Sequence, residues 1–151
     1  MFVKSTSRLV IGALAFAAFH PATALASESP AAGSLTVEIE NVRESTGPLY
    51  VSVQTKDDYQ QARHTAGGIY KDVKAGSLTY TYAAIPAGDY AISLWHDLDN
   101  DGTFTIGENY RPLDGWGASG KTLTGAPTFD DVKITVSEGS QTQRIQMVYP
   151  E

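Results

Sequence analysis

A two-residue alternation that recurs in short runs constrains this chain more than any other feature. Leu35, Val37 and Ile39 alternate with Thr36, Glu38 and Glu40, and Leu49, Val51 and Val53 alternate with Tyr50, Ser52 and Gln54. Side chains two apart share one face of a strand, so each run reads as a strand with one buried side. The pattern returns at Leu78, Tyr80 and Tyr82, at Tyr90, Ile92 and Leu94, at Val132, Ile134 and Val136, and at Ile145, Met147 and Tyr149. A weaker run covers Ile69 to Lys74. Turn residues separate the runs at Glu44–Pro48, Ile85–Gly88 and Ser137–Ser140, and the first two strands read as a hairpin. Lys56 to Gly68 breaks the alternation and suits a short helical turn with Asp57 or Asp58 as N-cap, ending at Gly67 and Gly68. The expectation is an all-β fold: an antiparallel β-sandwich, Ig-like in its spacing, of about seven strands. A long glycine-rich loop reaching Pro127 would join the fifth strand to the sixth.

The N-terminus reads differently. Lys4 and Arg8 precede an apolar run from Leu9 to Phe19, and Ala24-Leu25-Ala26 supplies a small-residue cleavage signal. That run is shorter than the roughly 20 residues a membrane span needs. Residues 1–26 are therefore expected to be a cleavable signal peptide, 27–33 a flexible leader, and 34–150 one β-sandwich domain. The chain has no cysteine, so neither a lipid anchor on a cysteine nor a disulfide is available. Cleavage removes two basic residues and no acidic ones, so the formal charge of −6 becomes −8. A surface this acidic repels phosphate backbones and anionic lipid, which argues against nucleic acid and against stable membrane insertion. The expected location is periplasmic or secreted.

Residues 95–108 read W-H-D-L-D-N-D-G-T-F-T-I-G-E. Like charges at alternate positions repel unless a cation sits among them. Against the twelve-position calcium loop, Asp97, Asp99 and Asp101 take positions 1, 3 and 5, Gly102 the sharp turn, and Glu108 the bidentate closing position. Thr103 would offer its carbonyl, and Thr105 would act through water. The flanks are not those of a helix–loop–helix hand, because a strand precedes the loop and Arg111-Pro112 follows it closely. The competing reading is a solvated acidic turn. No nitrogen or sulfur donor falls inside the loop, which disfavours zinc and leaves calcium as the expected structural ion.

Three segments together resemble a bacterial family, domain of unknown function family 2141. They are Ala84-Ile-Pro-Ala-Gly-Asp-Tyr90 running into A-I-S-L-W-H-D, then Arg111-Pro-Leu-Asp-Gly-Trp-Gly-Ala-Ser119, and Pro127-Thr-Phe-Asp-Asp131. Arg111 stands where that family tends to have glycine, and Thr105 where it often has an acid. The resemblance implies an exported, transthyretin-like or carboxypeptidase-regulatory-like β-sandwich, and implies no activity.

His96 shares parity with Tyr90, Ile92 and Leu94, which places it on the core face at a strand end as a hydrogen-bonding group. Only His64 could join it in a metal site outside the signal segment, too few nitrogen ligands for zinc or copper. No nucleophile elbow, zinc-protease helix or phosphate loop is present. Tyr110, Arg111 and Trp116 lie in the glycine-rich stretch and form a possible ligand-contact loop, set against a reading in which Trp116 folds back to cover the sandwich. The functional expectation is a non-catalytic binding or assembly module of the cell envelope. Its partner would be an envelope protein or a small carbohydrate or apolar ligand. The alternatives are a small periplasmic enzyme centred on His96 and the acidic loop, or a carrier of a small ligand at the Trp116 loop.

Overall fold

A computed structural model of the chain describes residues 31–120 and 127–151, so the expected signal peptide lies outside the described residues. Eight strands form two sheets. They are β1 (Ala32–Val42), β2 (Leu49–Gln54), β3 (Ala66–Tyr70), β4 (Gly76–Pro86), β5 (Gly88–His96), β6 (Gly115–Ala118), β7 (Lys133–Val136) and β8 (Gly139–Gln146). One sheet has the order β4-β1-β8. The other runs β3-β2-β5-β6, with β7 on the same edge of β5 as β6. The first strand thus begins two residues before the expected domain start.

The alternating positions do what the pattern requires. Leu35, Val37 and Ile39 face inward with no exposure, as do Leu49, Val51 and Val53, and Ile92 and Leu94 meet them from β5. Two sheets packing such faces exclude water from one continuous core, the principal stabilising term of a domain this size. Met147 and Tyr149 close the core from the C-terminal segment, while Ile134 is half-buried.

Three connections differ from expectation. β1 and β2 are not a hairpin: β1 pairs with β4 and β8, β2 with β3 and β5, and the chain crosses between sheets at 43–48. Alternation reports a buried face, and opposite sheets bury the same kind of face, so partner choice was not encoded in it. The turn expected at Ile85–Gly88 is a second crossing, with β4 in one sheet, β5 in the other and Ala87 between. β8 runs parallel to β1, from Gly33 opposite Gly139 to Glu40 opposite Gln146, so the sandwich is not wholly antiparallel.

The helical turn α1 (Lys56–Gln60) is capped by Thr55, whose hydroxyl accepts the Asp58 N–H, rather than by Asp57 or Asp58. Gly67 and Gly68 belong to β3 instead of ending a helix. A second short helix, α2 (Phe129–Val132), lies against the outer face of the larger sheet, where Phe129 and Val132 bury Ala91 beside Tyr59 and Ala118. No helix among the described residues is long and apolar enough to cross a membrane.

β6 is the strand that alternation could not reveal. Its inward positions are Gly115 and Gly117. A Cβ on Gly115 would stand 2.4 Å from the Tyr149 ring, and one on Gly117 would stand 3.1 Å from Ile145. Core space usually filled from the strand itself is filled from the C-terminal segment. That segment bridges to β6 through Trp116 N–H to Val148 C=O at 2.9 Å and the reciprocal bond at 2.7 Å.

Candidate functional site

The loop between β5 and β6 leaves the sheet directly after His96. Asp97 is buried, its N–H donating to the Pro48 carbonyl at 3.0 Å. The inter-sheet crossing packs so closely here that a Cβ on Gly47 would lie 1.6 Å from the Asp97 carbonyl oxygen. Only glycine fits. The Asp97 carboxylate turns back over the loop, Oδ1 accepting the Asp101 N–H at 3.2 Å and Oδ2 the Gly102 N–H at 3.0 Å. Gly102 has φ +76°, a left-handed turn that a side chain would strain.

Downstream the chain folds on itself. Gly107 N–H donates to the Arg111 carbonyl and Leu113 N–H to the Thr105 carbonyl, at 2.8 and 2.9 Å, and Ile106 bridges Pro112. This return sets Asp114 beside the start of the loop. Asp114 is buried, with Oδ1 accepting Leu98 N–H and Oδ2 accepting Thr105 N–H, both at 3.0 Å. Among the described residues, Asp97, Asp99 and Asp114 each bring a carboxylate oxygen to within 4.8 Å of the other two.

The sequence placed two of these three. Asp101 and Thr103 are exposed: the Asp101 carboxylate accepts the Thr103 N–H at 2.7 Å, and the Thr103 carbonyl accepts the Thr105 hydroxyl at 3.3 Å. Glu108 is exposed and heads a 3-10 turn, Glu108–Tyr110. Asp114 was missed as a member of the cluster because a twelve-position template counts along the chain, whereas the folded-back 105–113 segment shortens the path in space. The available signal was an acid directly before a glycine-rich strand.

Desolvation, and then the charge of Asp101, pushes the Asp99 carboxyl above its usual value, with Asp114 adding to the shift. Crowded carboxylates resist ionisation together. An oxygen-only cluster of this kind can hold a hard cation.

His96 faces inward and is fully buried, where its parity put it. Nδ1 lies 2.9 Å from the Tyr149 hydroxyl. Burial lowers its pKa, against a smaller opposing pull from the Gly47 backbone, Asp114 and Asp97. Nε2 is buried without a partner at hydrogen-bond geometry.

The three proposed ligand-contact residues separate. Tyr110 is 92% exposed. Arg111 and Trp116 line one groove with Leu113 and Val148, and Trp116 sits in β6, directly opposite Trp95 of β5, rather than in a loop. Of the six exposed large apolar side chains among the described residues, Phe104, Ile106, Tyr110, Leu113 and Val148 belong to the acidic loop, its return or this groove; the sixth is Ile69. Apolar exposure is therefore concentrated around this loop and groove.

The model of a family described as an uncharacterized protein conserved in bacteria (DUF2141) matches residues 37–144, and the chain belongs to that family. No curated protein and no solved structure matches it.

Proposed function

We propose that this family member is an exported, non-catalytic β-sandwich module that binds or assembles with a partner in the cell envelope and holds one calcium ion in its acidic loop. The observation that carries the reading is the convergence of Asp97, Asp99 and Asp114. Four backbone amides already fix the two buried carboxylates, and each oxygen keeps a second lone pair for a cation. Oxygen-only donors on an irregular loop suit calcium's large, adaptable shell better than magnesium's rigid octahedron. A bound cation would also relieve the crowding that raises the Asp99 carboxyl.

Export is supported by the Lys4/Arg8 flank, the short apolar run and Ala24-Leu25-Ala26. Binding is supported by the exposed apolar side chains beside the loop. A non-catalytic role is supported by the burial of His96, whose ring has no exposure to solvent. The test is calorimetric titration of calcium into the metal-stripped protein beginning at Ser27. One site per chain is expected, with a dissociation constant of about 10⁻⁴ to 10⁻³ M. Absence of binding heat up to about ten times that range would remove calcium from the reading.

A further inference from the structure

The outer face of the larger sheet carries a second arrangement, far from the carboxylates in character. Strand register sets Ile69, Tyr50, Trp95 and Trp116 in one row across four strands. Beside it lies a row of Gly67, Ser52, Ser93 and Ala118. Beyond that, Phe129 and Tyr59 pack over Ala91 and rise again. A ridge, a low floor and a far wall result. At the β3 end, away from that far wall, the ridge and floor border an open groove of about 760 Å³ lined by Tyr50, Trp95, Ser52, His64, Gly67 and Ile69, among others.

The floor depends on Gly67, where a Cβ would press to 3.2 Å against the His64 ring. Tyr50 and Trp95 stack with centroids 4.6 Å apart and planes 16° from parallel, and Phe104 abuts Trp95 edge-on at 6.3 Å. The aromatic wall is therefore rigid. The Ser93 hydroxyl is occupied, donating to Gln54 at 2.9 Å. Among the described residues, the Ser52 hydroxyl, the Tyr50 phenol and the His64 imidazole have no hydrogen-bond partner in the protein. No Asp, Glu, Lys or Arg lines the groove, although the chain carries 28 of them.

We propose that this groove binds a neutral saccharide, one pyranose ring lying against the Tyr50–Trp95 wall with its hydroxyls at Ser52, Tyr50 and His64. The uncharged lining selects the ligand. A phosphate or carboxylate would be desolvated with no counter-charge, whereas a neutral sugar offers an apolar C–H face and hydroxyls that both give and accept. The groove crosses strands about 4.8 Å apart, so two adjoining rings can lie along it. This inference does not rest on the calcium reading.

The only two tryptophans are Trp95 and Trp116, so a Trp116→Phe background reports Trp95 alone. Fluorescence titration in that background with cellobiose and with diacetylchitobiose should give a saturable change for at least one, with a dissociation constant on the order of 1 mM. Tyr50→Ala and Gly67→Val should weaken it about tenfold or more, as should His64→Ala, which alters an exposed side chain and spares the fold. Arg144→Gln, exposed on the other sheet, should leave it unchanged, and saturation should be the same in EDTA, which separates the groove from the acidic loop. No saturation with either disaccharide overturns the proposal. So does binding that survives all three groove substitutions, and so does capture of an apolar dye with neither sugar competing.

Discussion

Tyr149 and His96 meet across the end of the sandwich, the phenol oxygen 2.9 Å from Nδ1. The same oxygen accepts the backbone N–H of Arg43 at 3.0 Å, and the Arg43 guanidinium lies 4.7 Å from the centre of the Tyr149 ring. Arg43 N–H takes one lone pair of that oxygen, and the His96 tautomer sets whether the phenol donates to Nδ1 or accepts from it. One hydroxyl thus joins β5, the end of β1 and the C-terminal segment.

Tyr149→Phe should therefore destabilise the protein by about 1–3 kcal/mol, since it leaves a buried ring nitrogen unpaired. His96→Gln should cost a similar amount. Urea melts of both variants check this. A midpoint indistinguishable from wild type in Tyr149→Phe would show that the contact is idle.

Leu94 lies in the core between Gly117 of β6 and Val51 of β2, while Leu113 is 52% exposed. Leu94→Ala should cost about 2–5 kcal/mol as a buried large-to-small change. Leu113→Ala should shift stability by no more than about 0.5 kcal/mol. Equal costs at the two positions would contradict the face assignment.

The legible part of the fold was the part written in side chains. Leu35, Val51, Ile92 and Ile145 declared their strands because each places a large apolar group at period two. β6 stayed silent because its inward positions are glycines that yield space to Tyr149 and Ile145. Connectivity was silent for another reason: Gly47 makes a crossing rather than a hairpin through its contact with Asp97, fifty residues on. The acidic loop was legible at Asp97 and Asp99, whose spacing is local. Asp114 was not, because its place depends on the chain returning along itself between Thr105 and Leu113.

Asp58 ties α1 to the segment preceding β3. Its carboxylate accepts the Thr65 hydroxyl at 2.5 Å, the Thr55 hydroxyl at 3.1 Å and Arg63 Nε at 3.3 Å. The Thr65 bond is the main cause that holds this carboxyl below its usual value, with Thr55 and Arg63 assisting against partial desolvation. A folded-state pKa lower than the unfolded one means the folded state binds fewer protons. The stabilisation is then present above the unfolded value of about 3.9 and is lost as pH falls through the folded value. Amide exchange at Thr55, which donates to the Thr65 hydroxyl, should accelerate as pH drops below about 4, beyond the intrinsic pH trend. Asp58→Ala should be loose at every pH. A wild type and variant with parallel profiles would remove Asp58 from this role.

The last prediction separates two ways of closing the acidic loop. A linear calcium template closes on Glu108, whereas the folded chain brings Asp114 to Asp97 and Asp99. The difference is measurable because Glu108 is exposed on the 3-10 turn, while Asp114 is buried with Leu98 and Thr105 amides on its two oxygens. At ten times its dissociation constant, calcium should stabilise the wild type by roughly 1.4 kcal/mol over the same protein in EDTA. Asp99→Ala, at an exposed position, should lower the EDTA melting temperature little and abolish the calcium response. Asp114→Asn should also lose the response, but from a lower starting stability, since it weakens two amide contacts as well. Glu108→Gln should keep most of the rise. A Glu108→Gln variant blind to calcium beside a responsive Asp114→Asn would restore the linear template. Identical melting of all four proteins with and without calcium would leave the carboxylates as a solvated turn held together by its own amides.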